Sequence, residues 1–545
     1  MSSAAITQIA FPTLDDRQME LVGAIGELVQ FADNEELILQ GQKDYPFYVI
    51  KSGEVRVVEK CGSTERPITS HGPRSFTGDV DMLTGRSAVI SAIATGPVEA
   101  YRLCAKRLRD LLNACPLASE MFLEAFQLRR KMLEASDFIG VHLIGETGAK
   151  ETSRMREFFY KNHVPHTFFD VSESKGQAQL ECLGAADMPL PVVHCNGVTV
   201  SNPSLPKLAE CIGISRNVDQ QLYDLIIVGA GPGGLSAAVY AASEGIKTLV
   251  IDRVGPGGQA GSSSRIENFM GFPSGLSGNE LANRGYLQAL KFGAQFTAPI
   301  TVQSIETTAD GEHHLHLCTG QTARTRSVLV ASGVTYRQLD LPGCREFEGA
   351  GVYYAATSVE ARLCDQATAV VVGGGNSAGQ AAMFLANTAR QVKILIRGGD
   401  LAKSMSAYLC NRILQHPQIE VMTHSEVARI DGDQNVRSIR IRDNRSGETS
   451  DLDCAGLFIF VGARPHTDWL PPEVLLDQKG FVITGAACGE HESWSLERPP
   501  CDLETTVPGI MAAGDVRSGT TKRCGFAVGD GSLAVACIHR YLSDL

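Results

Sequence analysis

A glycine-rich turn that follows an apolar run occurs twice in the chain, and it limits the fold more strongly than any other feature. The first copy is LIIVGAGPGG, in which residues 225–228 predict a strand and Gly229, Gly231 and Gly234 occupy the three glycine positions. Glycine there permits the tight turn, the close approach of a phosphate and the close packing of helix on strand. The next apolar strand ends in Asp252, an acid placed to accept a hydrogen bond from a ribose hydroxyl. The pattern predicts a dinucleotide-binding Rossmann unit.

The second copy is VVVGGGNSAG, with Gly373 and Gly375 at the first two positions and Ala378 at the third. The strand that follows ends in Arg397, where the first copy has an acid, and Lys403 lies shortly behind it. Arginine at this place suits the 2′-phosphate of NADP, whereas an acid suits NAD. The pattern favours NADPH as the second nucleotide, and NADH stays open as the alternative.

A third element, PGIMAAGDV, is an apolar strand that ends in Gly514 and Asp515. An acid at the mouth of such a strand can bind the polyol chain of a flavin. The helical stretch behind it, FAVGDGSLAVACIHRYL, would direct its positive end at the flavin pyrimidine, where it favours the negative charge of the reduced ring. The alternative is that Asp515 only caps this helix.

Composition narrows the class of protein further. A chain of 545 residues is expected to form about three or four domains. The net charge of −12 argues against a nucleic-acid partner. No apolar run reaches the roughly 18–20 residues of a membrane span, and no secretion signal is recognisable. The 15 cysteines have no regular spacing, which favours free thiols in a cytoplasmic protein over a disulfide framework.

Residues 222–545 resemble the low-molecular-weight thioredoxin reductases. The resemblance rests on VGAGPGG, GGQAG, IENFMGFP, VASGVTYRQLDLPG, VVVGGGNSAG and MAAGDV, which occur in that family's order. It implies FAD and NADPH (or NADH) as cofactors and a homodimer. It also implies an FAD domain in two parts, 222–340 and 467–545, around an NAD(P)H domain at 341–466.

The two glycine-rich turns and the resemblance to the thioredoxin reductases together give the residues expected to bind FAD and NAD(P)H. No metal site is expected. Those for FAD are Gly229, Gly231, Pro232, Gly233, Gly234, Asp252, Gly257, Gly258, Gln259, Asn268, Gly514, Asp515, Lys522, Arg523 and Cys524. Those for NAD(P)H are Gly373, Gly375, Asn376, Ser377, Arg397 and Lys403. Cys524 is expected to pack under the flavin ring, although a helix N-terminus could also acidify its thiol.

Two departures from the family bear on function. The family carries a CxxC pair just before the second fingerprint, and it shuttles electrons from flavin to thioredoxin. This chain has Ala355 and Ser358 at the two cysteine positions, and it contains no CxxC anywhere. The arginine-rich NADPH motif is reduced to IRGGDLAKS. No side chain is therefore assigned as a catalytic acid, base or nucleophile.

Residues 30–93 resemble the cyclic-nucleotide-binding domain of the catabolite-activator type. The segments that carry the resemblance are ILQGQKDYPFYVIKSGEVRVVE and SFTGDVDMLTGRSAV. The resemblance implies a β-barrel domain within 1–136 and a cyclic-nucleotide site at Gly78, Asp79, Arg86 and Ser87. Asp79 stands where that family usually has glutamate, so a barrel without a ligand and a functional sensor are both open.

Residues 137–215 resemble a degenerate thioredoxin or glutaredoxin fold, from the pattern of strands and helices and from Pro191 in MPLPVVHCNGVTV. Pro191 stands where that fold keeps a cis proline. The loop GETGAKET, at the place of the redox motif, contains no cysteine. A docking or dimer-related scaffold is the expected role.

The expected fold class is α/β, with two Rossmann-like three-layer dinucleotide-binding domains behind a β-barrel domain and a thioredoxin-like α/β domain. The expected function is an FAD-dependent NAD(P)H oxidoreductase that passes electrons to a small-molecule or protein acceptor, with regulation through the N-terminal domain. Two alternatives are open: thioredoxin reduction through a partner's cysteines, and a nucleotide- or redox-sensing flavoprotein with incidental turnover.

Overall fold

The short β-rich runs at the start of the chain form one antiparallel sheet in the strand order β1-β5-β3-β4, with β2 on β5. Phe47 and Phe76 of this sheet region pack edge-on against Phe122 of the long helix behind it, and all three are fully buried. The computed structural model describes residues 3–61, 64–135, 140–195, 197–214, 218, 221–263, 265–356, 358–492, 494 and 496–545. The elements here are α1 (Ser3–Ala10), α2 (Asp16–Ile25), β1 (Glu27–Phe31), β2 (Glu36–Ile38), β3 (Phe47–Cys61), β4 (Thr64–His71), α3 (Asp81–Thr84), β5 (Ser91–Leu103), α4 (Ala105–Ala114) and α5 (Pro116–Ala135).

A four-stranded mixed sheet follows in the order β7-β6-β8-β9, with only the β6–β7 pair parallel. The peptide bond between Leu190 and Pro191 is cis, so the predicted cis proline is confirmed. The elements are β6 (Val141–Gly145), α6 (Lys150–Lys161), β7 (Thr167–Asp170), α7 (Ser174–Cys182), β8 (Val192–Cys195), β9 (Val198–Ser201) and α8 (Leu205–Cys211).

The first Rossmann unit begins with a strand whose side chains are buried on both faces, as its continuous apolar run requires. Its sheet has the order β12-β11-β10-β15-β14-β13, and the β12-β11-β10-β15 part is parallel. The elements are β10 (Leu222–Val228), α9 (Pro232–Ser243), β11 (Thr248–Ile251), α10 (Gly278–Phe292), β12 (Gln295–Thr297), β13 (Val302–Thr307), β14 (His313–Leu317), β15 (Thr322–Val330) and β16 (Val334–Tyr336).

The second Rossmann unit has a fully parallel sheet in the order β17-β24-β18-β19-β20, with an antiparallel sheet β21-β22-β23 beside it. The elements are β17 (Val352–Tyr353), α11 (Ser358–Leu363), β18 (Thr368–Val372), α12 (Asn376–Leu385), β19 (Gln391–Leu395), α13 (Ala407–Gln415), β20 (Ile419–Met422), β21 (Ser425–Gly432), β22 (Val436–Asp443), β23 (Thr449–Asp453) and β24 (Gly456–Ile459).

The chain then returns to the first Rossmann unit through β25 (Ala463–Pro465), α14 (Ala486–Gly489), β26 (Ile510–Ala512) and α15 (Cys524–Ser543). Strand β26 pairs in parallel with β15, and β25 pairs with β16 in a two-stranded sheet that links the two units. Helices α9 and α15 pack so closely that a Cβ on Gly531 would lie 2.1 Å from the Gly233 carbonyl oxygen. The second Rossmann unit is therefore inserted into the first.

The expectation of free thiols is wrong at one pair, because Cys501 and Cys537 form a disulfide. Helix α15 carries Cys537 past the loop at residue 501, with 5.7 Å between the Cα atoms, a separation that suits a disulfide. Sequence spacing could not reveal this pairing. Among the described helices, none combines the length and the apolar character needed to cross a membrane.

Candidate active site

The turn after β10 has the geometry that its glycines predict. Gly229 has a φ of +112°, and a Cβ there would lie 2.3 Å from the Ala331 carbonyl oxygen. A Cβ on Gly234 would lie 1.9 Å from the Gly229 carbonyl oxygen, so the third glycine sets the contact between helix and strand. Helix α9 begins at Pro232 and directs its unpaired N–H groups and positive dipole end into the space beyond Gly231.

Asp252, one residue beyond β11, organises the loop that closes this turn. Its Oδ2 accepts a hydrogen bond from Ala230 N–H at 2.8 Å, and its Oδ1 accepts from Val254 and Gly255 N–H, each at 2.8 Å. A carboxylate has roughly four acceptor sites, so these contacts leave capacity for one further donor, such as a ribose hydroxyl.

The last strand, β26, delivers a second acid to the same region. Burial raises the pKa of Asp515, Lys522 opposes this effect, and Asp530 adds to it. Lys522 donates from Nζ to the Asp515 carbonyl oxygen at 2.8 Å. Asp530 accepts from Gly514 N–H at 3.0 Å and from Arg517 Nη1 at 2.8 Å, and it thereby fixes the turn. The sequence reasoning missed Asp530 and Arg517, and the GDG inside the last helix was the available signal.

Cys524 is the first residue of α15, and burial, with a smaller effect of Asp515, raises the pKa of its thiol to about 11. The thiol is therefore neutral near pH 7. This favours the packing role over an acidified thiol.

The second turn repeats the backbone geometry of the first. Gly373 has a φ of +136°, and a Cβ there would lie 2.4 Å from the Phe460 carbonyl oxygen. Asn376 Oδ1 accepts from Ser406 N–H at 2.7 Å, while its Nδ2 is buried and has no hydrogen-bond partner among the described residues. Arg397 and Lys403 are exposed beyond β19, and neither has an acidic partner within the described part of the chain.

Both turns open into one cleft of about 750 Å³, in the upper part of the size range typical of ligand sites. The predicted residues that line it are Gly229, Gly231, Pro232, Gly233, Asp252, Gly258, Gln259, Asn268, Gly375, Asn376, Ser377, Gly514, Asp515, Lys522, Arg523 and Cys524. Gly234, Gly257, Gly373, Arg397 and Lys403 are not part of its lining. Ala355 is half-buried outside the lining, and Ser358 begins α11, with its side chain outside the described part of the structure.

Two residues of the unit formed by β6–β9 and α6–α8 also line the cleft, namely Glu157 and Lys161 of helix α6. Their side chains form an ion pair at 2.9 Å, and Lys161 keeps 15% of its side-chain exposure. Sequence reasoning missed both, because no local pattern shows which distant helix covers a cleft.

The predicted cyclic-nucleotide residues divide between two cavities. Gly78 and Asp79 line an apolar cavity of about 280 Å³ in the N-terminal sheet region. Arg86 and Ser87 line a separate space of about 40 Å³ toward the unit formed by β6–β9 and α6–α8. Asp79 accepts from Tyr45 Oη at 3.2 Å and is ion-paired with Arg130.

Comparison with known proteins gives the family. Residues 223–531 match the model of the pyridine nucleotide-disulphide oxidoreductases. The chain belongs to that family. Residues 28–115 of this oxidoreductase match the cyclic nucleotide-binding domain model, which confirms the predicted fusion.

Several thioredoxin reductases are similar to it. The protein of that name from Treponema pallidum is 34% identical over 324 residues, which cover 59% of this chain and 98% of the relative. The one from Bacillus subtilis is 31% identical over 334 residues, covering 60% and 97%. The crystal structure of Lactococcus lactis thioredoxin reductase in its FR conformation aligns with a TM-score of 0.53 and 28% identity, over 59% of this chain and 100% of that one.

The enzyme is thus an NAD(P)H-dependent flavin oxidoreductase from a group that uses FAD and NADPH. The cleft fits a dinucleotide on its own geometry. A Cβ on Gly258 would lie 2.9 Å from the Gly231 Cα, so glycine at both positions keeps open the space in front of α9. Asp252 and the N-terminus of α9 then offer an acceptor for a ribose and donors for a phosphate.

Proposed function

We propose that this oxidoreductase passes electrons from NAD(P)H through FAD to an acceptor that meets the flavin directly. The observation that carries this proposal is the pair Ala355 and Ser358 at the two positions of the family's redox disulfide, in a chain without any CxxC. Neither side chain can form or exchange a disulfide. The acceptor is then a small oxidised compound, oxygen or an electron-transfer protein.

FAD is proposed to lie along the part of the cleft built by the first Rossmann unit. Asp252 would accept from the adenosine ribose, and α9 would meet the pyrophosphate with its N-terminus. Asp515 would bind the polyol chain, and α15 would place its positive end near the flavin pyrimidine. When bound, FAD takes a hydride from NAD(P)H and hands the electrons on.

NAD(P)H is proposed to bind at the second turn, with α12 facing its pyrophosphate. Arg397 and Lys403 lack acidic partners among the described residues, which leaves both cations free for a 2′-phosphate. This supports NADPH as the preferred donor.

The sheets support domain boundaries at 1–136, 137–215, 222–340 with 467–545, and 341–466. The pairing of β16 with β25 crosses the proposed border between the two Rossmann domains.

Anaerobic reduction tests the function. Purified protein is mixed with NADPH or NADH, the loss of visible flavin absorbance is followed, and the reduced enzyme is then offered a quinone, oxygen, or thioredoxin with insulin. We expect rapid reduction by NADPH and reoxidation by the quinone or oxygen. Turnover with thioredoxin and insulin would instead support reduction through a partner's cysteines, and absent reduction by either nucleotide would favour the sensor.

A further inference from the structure

Asn162, at the end of helix α6, connects the thioredoxin-like unit to the FAD-side loop 252–255. The residue is 1% exposed, and its Nδ2 donates to the Val254 carbonyl oxygen at 2.7 Å and to the Phe158 carbonyl oxygen at 2.9 Å. The contact is tight, because a Cβ on Gly255 would lie 2.6 Å from Asn162 Nδ2. One buried amide therefore joins two parts of the chain that are distant in sequence.

Loop 252–255 is the turn whose N–H groups hold the Asp252 carboxylate. Asp252 Oδ1 accepts from Val254 and Gly255 N–H on one side of the turn. Asn162 holds the Val254 carbonyl oxygen on the other side. The orientation of the carboxylate thus depends on a turn that is fixed from both sides.

The same residue is also bound by the cyclic-nucleotide-binding-like domain. Arg86 donates from Nη1 to the Asn162 carbonyl oxygen at 2.6 Å, and the carboxylate of Asp81 lies 3.9 Å from the same nitrogen. Ser87, the next residue, packs against the same unit at Gly213, where a Cβ would lie 2.3 Å from Ser87 Oγ. The arginine expected to hold a cyclic phosphate therefore reaches the FAD-side loop through a single residue.

We infer that Asn162 is a positioning residue of the FAD site, which sets the Asp252 turn by hydrogen bonding and receives Arg86 on its backbone oxygen. The inference rests on the proposed placement of FAD against Asp252. The thioredoxin-like unit would then help to retain FAD, a role that requires no cysteine. Glu157 and Lys161, on the same helix, line the same cleft.

Isosteric substitution separates hydrogen bonding from packing at this position. Asn162→Asp keeps the volume of the side chain but removes the donor and turns a carboxylate toward two carbonyl oxygens. Asn162→Ala removes both donor and volume without adding a charge. A hydrogen-bonding role predicts that N162D is the more damaging change, because an unpaired buried charge costs more than a lost hydrogen bond. A packing role predicts the reverse order.

The test is the rate of FAD release from the purified full-length holoenzyme, followed by the gain in flavin fluorescence on dilution. We expect release from N162D to be at least about tenfold faster than from the wild type, with N162A in between. Asn113→Ala is the matched control. Asn113 also donates from its side chain to a backbone carbonyl oxygen of the first Rossmann unit, that of Lys291 at 3.4 Å, but this contact lies away from the cleft.

Two further variants decide how a failure is interpreted. Asp252→Ala tests the placement of FAD: fast release from D252A with wild-type release from both Asn162 variants overturns the inference alone. Wild-type release from D252A overturns the placement instead. Arg86→Ala is expected to release FAD about threefold faster, as loss of one hydrogen bond to a carbonyl predicts. Wild-type release from R86A, or slower release from N162D than from N162A, contradicts the inference as stated.

Discussion

The two dinucleotide turns and the cassette at residues 78–87 are all glycine-marked motifs, but their polar side chains serve different purposes. In the turns, Asp252 retains acceptor capacity, and Arg397 is exposed without an acidic partner among the described residues. In the cassette, Asp79 is ion-paired with Arg130, and Arg86 is hydrogen-bonded to Asn162. The polar side chains of the turns are therefore available to a ligand, whereas those of the cassette already bind other groups of the protein.

The difference shows that a motif's backbone and its side chains carry separate information. Gly78 keeps the left-handed backbone of the cassette, with a φ of +94°, although the side chains around it bind other protein groups. A glycine pattern therefore predicts the turn reliably. It predicts the ligand only where the neighbouring polar groups lack partners inside the protein.

Replacement of Arg130 by alanine is the strongest way to test the structural role of the cassette. Arg130 is buried between Asp79 and Asp81, and these carboxylates raise its pKa despite the opposing effect of burial. Its loss leaves Asp79 buried without an ion-pair partner among the described residues and leaves Asp81 with the more distant Arg86, 3.9 Å away, which is expected to cost about 3–5 kcal/mol. Hydrogen exchange of the β3 and β5 amides, measured by mass spectrometry, reports this loss as faster opening of the N-terminal sheet.

Arg102→Ala is the control for that experiment. Arg102 lies in the same sheet and pairs with Glu27 at 2.8 Å, but the pair is exposed. Its removal is expected to cost about 0–1 kcal/mol. Equal exchange in R130A and R102A would contradict the contrast between cassette and turns.

The sequence predicted what depends on local backbone geometry and on apolar periodicity. Both glycine turns, the strands before them and the cis bond at Pro191 follow from short segments, and the structure contains them. The contact of Arg86 with Asn162 joins residues 76 positions apart. Nothing near either residue encodes that contact, because it depends on how separate domains pack.

The same limit explains the cleft wall and the disulfide. Glu157 and Lys161 form an ordinary ion pair one helical turn apart, and only the docking of α6 makes them part of the cofactor cleft. Cys501 and Cys537 are 36 positions apart, and only the path of α15 brings them together. Side chains at domain contacts are thus the part of a site that is hardest to predict from sequence.

Acid provides a second way to sharpen the contrast, through His71 in the wall of the apolar cavity. Burial, together with the nearby Arg129, lowers the pKa of His71 from 6.5 to about 3. Because the folded pKa is depressed, protonation favours the unfolded state, so stability is complete above pH 6.5 and falls as the pH drops toward 3. At pH 5 the N-terminal sheet is expected to be about 2 kcal/mol less stable than at pH 7.5.

His71→Gln is expected to remove this pH dependence from the exchange of the β4 amides, measured against the wild type at each pH. His316→Gln is the control, because His316 lies on another sheet and its side chain is 44% exposed. A wild-type pH dependence in H71Q would assign the acid sensitivity to another group.

Arg397→Ala probes the opposite kind of residue, one that is available to a ligand and contributes little to the fold. Because its guanidinium is exposed and lacks an acidic partner among the described residues, its loss is expected to leave thermal stability unchanged within about 0.5 kcal/mol. KM for NADPH is expected to rise about tenfold while KM for NADH stays constant, since only NADPH carries the 2′-phosphate that a charge-assisted hydrogen bond would hold. Arg445→Ala removes the same charge from an exposed turn of the same domain and should change neither KM. If R397A raises both KM values equally, Arg397 does not bind the 2′-phosphate. The second turn is then like the cassette, and unlike the first turn, in that its polar side chains are not available to the ligand.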